Sequence, residues 1–340
     1  MHMGIFTRNE KNFLVADIGG TTCRIAIITT PEKENGKGYT IRHVRHYETK
    51  KIVQFAQVVS AFLSEQAVKS IPIHGACIAC AGPVNAERTC CTGTHIDWTI
   101  DISELEAKTP LKKIILLNDF EAIGYALDIL KPEQYRELTA CGRTSGTSAI
   151  IGAGTGLGMS IVPRITQRRL PLPSEGGSSD LLCDPSDPVE MRLYQYLKRK
   201  KISRTTESIL SGRGLITLYE FFAKNNSKIR KLPQDQQSAF IAKNGMEGRD
   251  KAAMRALEYF IRFYARAART LTLTSLCTEL VIAGGIAPKI FPVLQEYFIE
   301  SYTIHEEKSA RKLLEQVTIL VIIDEYAGLY GCAAAADARF

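Results

Sequence analysis

Two stretches of this chain carry an apolar run into a glycine turn with a hydroxyl residue and then resume as a second apolar run. The first is Leu14-Val15-Ala16-Asp17-Ile18-Gly19-Gly20-Thr21-Thr22-Cys23-Arg24, and the second is Ile150-Ile151-Gly152-Ala153-Gly154-Thr155-Gly156-Leu157-Gly158-Met159. Each reads as a β-hairpin rather than a strand-to-helix loop. A glycine turn lets a phosphate approach backbone N–H groups that a Cβ would shield. Gly19, Gly20, Thr21 and Thr22 are therefore candidate phosphate contacts in the first turn, as are Gly154, Thr155 and Gly156 in the second, with the Thr21 and Thr155 hydroxyls as added donors. Asp17 is a candidate to hold Mg2+ through water, because that ion keeps most of its hydration shell. Either turn alone is more often only a tight turn, but the pair predicts two related halves with a cleft between them. Neither fits GxxxxGK[ST] or a strand-to-helix GxGxxG, which removes the P-loop and Rossmann readings.

The elements that must position these residues follow in order. The first hairpin and a strand near Tyr39 to Tyr47, joined through the Asn35-Gly36-Lys37-Gly38 turn, predict an antiparallel meander. Ile52, Phe55, Val58, Val59 and Phe62 recur at helical spacing, and a buried strand at Ala76 to Ala81 ends in Gly82-Pro83. Lys113 to Leu117 reads as a strand closing on Asn118-Asp119, with a helix starting at Phe120. After the second hairpin come Pro- and Ser-rich loops and a block of helices. Asn225 to Gln237 is the predicted mobile loop, and Met254, Leu257, Ile261, Tyr264, Ala268 and Leu271 form a long helical stripe. A strand at Leu280 to Ala283 leads to the Gly284-Gly285 turn, and a last strand at Val317 to Ile323 precedes an alanine-rich helix.

At 340 residues the chain is long enough for two lobes. Lys and Arg number 43 against 36 Asp and Glu, a net charge of +7 that suits an anionic nucleotide and requires no nucleic acid. The basic run Lys198-Arg199-Lys200-Lys201 reads as a solvated helix end. Nine scattered cysteines, with no secretory leader and no apolar stretch long enough to span a membrane, predict a cytoplasmic protein with reduced thiols. Cys77, Cys80, Cys90 and Cys91 lack zinc-site spacing and read as packing residues. The opening Met1-His2-Met3-Gly4 carries no fold information.

In order along nearly the whole chain, the segments ADIGGTTCR, LLNDFEAIGYAL, GAGTGLG, LPSEGG, ESILSGRGLITLY, VIAGGIAP and GLYG resemble those of bacterial-type glucokinases, within the superfamily of hexokinase, actin and heat-shock chaperone ATPases. The resemblance implies an α/β, two-lobed, ribonuclease H-like (actin-like ATPase) fold. Residues 1–130 with 325–340 would form a small α/β lobe and residues 131–324 a larger α+β lobe. It implies ATP-dependent phosphorylation of glucose at O6 with Mg2+, a glycolytic role, small-molecule partners only, and a homodimer as the candidate assembly. Asp119 would be the general base, a role that a carboxylate at a strand end can fill, although Asp is also a common helix N-cap. Asn118 would join it in clamping the sugar, Glu175 and Glu207 would accept the ring hydroxyls, and Gly284 and Gly285 would let adenine and ribose approach. Glu207 is also readable as an ordinary carboxylate in the first turn of a helix.

Three positions depart from the family pattern. Ser178 follows Glu175-Gly176-Gly177 where the family has histidine, His95 falls within its TNxxW motif, and Thr22 ends its GGTN. His95 is a candidate substitute for the missing imidazole, and the preferred hexose stays open. The alternatives are a kinase for another hexose, a catalytically weak sugar sensor, and a polymerising ATPase. The short segment before the first strand leaves no room for a helix-turn-helix, the chain lacks CxCGxxGC, and LPSEGG has no use in a filament.

Overall fold

The computed structural model describes residues 10–30, 38–94, 96–142, 146–165, 168–224 and 228–340. Met1 to Gly4, Asn35 to Lys37, His95 and Asn225 to Ser227 lie outside the described residues, and with them the readings attached to those positions. Packing divides the chain into two compact units. One comprises Met1–Pro132, Arg169–Pro173 and Asp324–Phe340, and the other Glu133–Arg168 and Ser174–Ile323. The short return of Arg169–Pro173 to the first unit is absent from a division made at two boundaries. Its anchor is the Arg169 Nε, 2.8 Å from Asp128 Oδ1.

In the first unit, β1 (Asn12–Ile18) and β2 (Thr22–Thr29) form the expected hairpin, and β3 (Thr40–Glu48) lies antiparallel on β2. On its other side β1 pairs in parallel with β4 (Gly75–Cys80). After a small ribbon of β5 (Cys90–Thr92) and β6 (Thr99–Asp101), β7 (Ile114–Asn118) pairs in parallel with β4. Residues on these strands alternate between two cores. Leu14, Ala16, Ile18, Ile25, Ile27 and Ile78 pack with α1 (Phe55–Leu63) and α2 (Ile102–Lys108). Phe13, Val15, Ala26, Ile28, Cys77 and Ala79 face α3 (Asp119–Ala126) and the C-terminal helix, Ala327–Arg339. Burial of both faces explains why β1 and β4 read as unbroken apolar runs. Cys77, Cys80 and Cys91 are fully buried within these layers, in keeping with packing roles. Among the described residues no cluster of His, Cys, Asp and Glu could itself cage a metal ion.

The second unit contains β8 (Tyr135–Thr139), β9 (Ser148–Ala153) and β10 (Leu157–Val162), then α4 (Pro188–Arg199), α5 (Gly212–Ala223), α6 (Gln234–Met246) and α7 (Lys251–Ser275). It continues with β11 (Glu279–Ala283), α8 (Phe291–Thr303), α9 (Lys308–Glu315) and β12 (Thr318–Ile322). Its sheet has six strands, the short strand Leu172–Ser174 at one edge and then β10, β9, β11, β12 and β8, with β9, β11 and β12 parallel and β10 and β8 antiparallel to their neighbours. Leu257, Phe260, Ile261, Tyr264 and Ala268 of α7 are buried, but Met254, placed on the stripe by spacing, is 46% exposed. The loop expected at 225–237 gives way to a 3-10 turn at Lys228–Lys231 and to α6 from Gln234. Pro233 sits at the N-cap of α6 without a side-chain cap, so the usual start signal is missing. Among the described residues no helix is long and apolar enough to cross a membrane.

The C-terminal helix presses closely on α3 through Gly331, where an added Cβ would lie 1.8 Å from the Ala122 carbonyl oxygen. Gly to Ala inside a helix ordinarily stabilises by about 1 kcal/mol. Here the sign should reverse: Gly331→Ala is expected to lose about 1–3 kcal/mol by overpacking. Urea unfolding of the two proteins checks this, and a gain in stability would contradict the close approach.

Candidate active site

The parallel strands β1, β4 and β7 of the first sheet end at one edge, in register through Ile18, Cys80 and Asn118. Ligands of open α/β sheets gather at such carboxyl ends. Here that edge carries the Gly19–Thr22 turn, Gly82, and Asn118-Asp119.

Asn118, not Asp119, is the N-cap of α3. Its side-chain oxygen accepts from Phe120 N at 2.9 Å and Glu121 N at 3.2 Å, satisfying donors that a helix start leaves unpaired. Its Nδ2 donates to Gly82 O at 3.3 Å, and the side chain is almost wholly buried. The cap limits how Asn118 can meet a ligand. The oxygen is committed to the helix, and one amide hydrogen remains for a ligand. Asp119 is the first helical residue and is half-buried, with Oδ1 accepting from Phe120 N at 3.0 Å. Its carboxylate thus sits where the helix dipole favours negative charge.

Asp17 lies on the face of β1 that meets the C-terminal helix, where a Cβ on Gly328 would stand 3.0 Å from its carboxylate. The Arg24 Nη1 is 3.5 Å from Asp17 Oδ2, and Arg24 Nη2 reaches Glu325 Oε2 at 3.4 Å. Burial raises the Asp17 pKa, opposed by the Arg24 charge. A single carboxylate, about one-fifth exposed and flanked by a guanidinium, suits Mg2+ held through its own waters rather than a protein cage. In the adjoining turn, Gly19 N donates to Thr22 O at 3.0 Å, while Thr49 bonds Gly19 O through its hydroxyl at 2.8 Å and Thr21 O through its N–H at 3.1 Å. The Gly19 N–H therefore closes the turn rather than facing a phosphate. Thr21 is exposed, Thr22 half-buried and Gly20 buried.

The second unit repeats this construction. Gly154 N donates to Gly156 O at 2.8 Å, and Gly212 N, at the start of α5, donates to Gly154 O at 2.8 Å. Thr155 is exposed at the tip. Gly284 adopts φ +83 and lies so close to β9 that a Cβ would stand 2.5 Å from the Ala153 oxygen. Gly285 opens onto free space. The structure thus brings Gly154, Thr155, Gly156, Gly284 and Gly285 together at the ends of β9 and β11.

Glu175, Ser178 and Glu207 also converge. Gly176–Ser178 forms a 3-10 turn whose Gly177 lies against β10, where a Cβ would be 2.2 Å from Leu157 O. Glu207 N donates to Gly177 O at 2.9 Å, and Leu157 N donates to Glu207 Oε2 at 2.9 Å. Glu207 is not in the first turn of a helix: α5 starts at Gly212 and is capped by Ser211, whose hydroxyl accepts from Gly214 N at 3.0 Å. Burial raises the Glu175 pKa, and the Glu207 charge adds to the shift. Ser178 is exposed.

A sequence profile described as Glucokinase matches residues 14–339. The chain belongs to the glucokinase family. A Synechocystis glucokinase is 32% identical over 352 residues, covering 96% of this chain and 98% of its own. The crystal structure of a glucokinase from an Antarctic psychrotroph superposes with a TM-score of 0.77 at 26% identity, covering 97% of this chain and 99% of that one. A ROK-family glucokinase from Streptomyces griseus, solved with glucose and AMPPNP, shares the fold at a TM-score of 0.68 and 17% identity, covering 96% and 99% of the two chains. The fold is that of the actin-like ATPases, and the family consists of sugar-phosphorylating enzymes.

In this chain sequence reasoning missed several supports of the site: Thr49, Arg24, Ser211, and the ion pair of Arg88 with Glu121, whose nearest atoms, Nη1 and Oε1, are 2.9 Å apart. Glu121 was detectable, because Asn118-x-x-Glu121 has capping-box spacing. Arg88 and Thr49 carry no local signal.

The raised Glu175 pKa has a signed consequence. Its charged form is less favoured folded than unfolded, so the folded state carries a penalty above the raised value that disappears below the unfolded value, about pH 4.3. Glu175 is exposed, so water screens most of this penalty; Glu175→Gln should melt only slightly above the parent at pH 7 in the absence of sugar, with the advantage gone near about pH 4. Thermal melts at both pH values check this, and equal melting temperatures at pH 7 would contradict it.

Proposed function

We propose that this chain transfers the γ-phosphoryl group of ATP to the 6-hydroxyl of glucose, with Asp119 as general base. The observation that carries the reading is the placement of Asp119 at the carboxyl end of β7, its carboxylate held at the first turn of α3. Asp119 takes the O6 proton as O6 bonds to the γ-phosphorus and the bond to the departing ADP oxygen breaks, and ADP and the sugar phosphate leave. Glu175 and Glu207 accept hydrogen bonds from ring hydroxyls, and Asn118 offers its remaining amide hydrogen. A site that pairs particular hydroxyls rejects sugars lacking them by up to about 10⁴-fold.

Thr21, Thr22, Thr155 and the backbone of Gly20 and Gly156 contact the phosphates, while Gly284-Gly285 admits the adenosine. The closed Gly19 and Gly154 N–H groups act by shaping the turns. Asp17 would hold Mg2+ through water, and the ion would neutralise phosphate charge. Arg24, with Nη1 3.5 Å from Asp17 Oδ2, opposes the upward pull of burial on that carboxyl and aims it.

A second reading, transfer to another hexose, is favoured by Ser178, whose short exposed hydroxyl stands where an imidazole would reach further. ADP release with Mg-ATP and a panel of hexoses decides between the two: glucose as the best substrate supports the first, and preference for another hexose supports the second. Asp119→Asn should lower kcat by about 10² to 10⁴-fold while calorimetry still detects sugar binding. Turnover at the parent rate would refute the base assignment.

A further inference from the structure

We infer that Arg88 and Glu121 are positioning residues for Asp119, an inference that rests on the proposed role of Asp119. Glu121 is two residues beyond Asp119 on α3 and nearly fully buried. Its Oε2 accepts from Asn118 N at 3.4 Å, completing the capping box that begins α3. The Arg88 Nη1 lies 2.9 Å from Glu121 Oε1 and 3.0 Å from Oε2, and its charge compensates a carboxylate that would otherwise be stranded in the interior.

The turn that delivers this guanidinium is strained. Arg88 has φ +57, a left-handed conformation unfavourable for a long side chain. Asn85 enforces it: its Oδ1 accepts from Thr89 N at 2.8 Å and Cys90 N at 2.9 Å, and Arg88 N donates to Asn85 O at 3.0 Å. Strain of this kind persists only where the surroundings over-determine it, and its position invites a functional explanation. The same segment begins at Gly82, whose carbonyl accepts the Asn118 amide at 3.3 Å. The loop from Gly82 to Cys90 therefore grips the β7–α3 corner from two sides, by the side chain of Asn118 through Gly82 and by its backbone N–H through Arg88 and Glu121. Asp119 follows directly on that corner.

Stability alone does not explain the pair: the Arg88 side chain is 39% exposed against 4% for Glu121, and apolar residues often replace an ion pair without loss. What they cannot replace is the acceptor for the Asn118 N–H and the fixed direction it gives the next residue. Arg88 is a positioning residue and touches no substrate in this account.

The test compares steady-state kinetics and melting temperatures of the parent, Arg88→Met, Arg88→Lys and the double variant Arg88→Met/Glu121→Met. Arg88→Met should lower kcat by about 10- to 100-fold with the sugar KM changed by less than about twofold, as expected for a misaligned base. Arg88→Lys should recover part of kcat. The double variant should regain most of the melting temperature lost by Arg88→Met while kcat stays low, because the stranded charge is gone and the acceptor is still missing. Recovery of kcat together with stability, or a kcat within about twofold of the parent in a folded Arg88→Met, overturns the inference. A parent that phosphorylates no sugar overturns the proposed function itself, a result distinct from an active parent with insensitive variants.

Discussion

One carboxamide holds the corner on which the proposed base stands. The Asn118 oxygen takes two N–H groups at the start of α3, its nitrogen reaches back to Gly82 after β4, and its backbone N–H is taken by Glu121. Strand, loop and helix are thereby fixed to one side chain, and the residue immediately beyond it is Asp119. A carboxylate on an unsupported loop would sample many orientations. At the first turn of a capped helix it has few, and the helix favours its charge.

Both units solve the same problem alike. Each sets a glycine hairpin at the end of a buried strand, closes it with the N–H of its first glycine, and braces its carbonyls from outside. Thr49 does the bracing in the first unit, and the N-terminus of α5 does it in the second. The strands behind the turns are held for local reasons: β1 and β4 are buried on both faces, and in the second unit the Tyr264 hydroxyl of α7 accepts from Ala153 N at 3.2 Å beside the Gly154 turn. Side-chain reach is short at these positions, so precision must come from the backbone.

Much of this was legible from local pattern. The hairpins, the strand closing on Asn118-Asp119 and the long helix stripe all follow from apolar periodicity and glycine placement. The alternative of Asp119 as the cap of α3 falls one residue off, because Asn and Asp are both cap formers and stand side by side. Glu121 decides between them, since the capping box needs it three residues after the cap and it stands only two after Asp119. The alternative reading of Glu207, a carboxylate in the first turn of a helix, fails because α5 starts only after Ser211, which nothing local reveals. There Gly214 fits beneath Ile209, where a Cβ would be 2.1 Å from the carbonyl oxygen. Arg88 meets Glu121 33 residues along the chain. That meeting depends on β4 and β7 lying side by side, which no periodicity encodes.

Glu207 deserves its place in the second unit for a mechanical reason. Its main chain is tied to Gly177 and its carboxylate to Leu157, so one residue rivets the glutamate turn to the glycine hairpin. Parting the two segments at this residue means breaking one of these two hydrogen bonds.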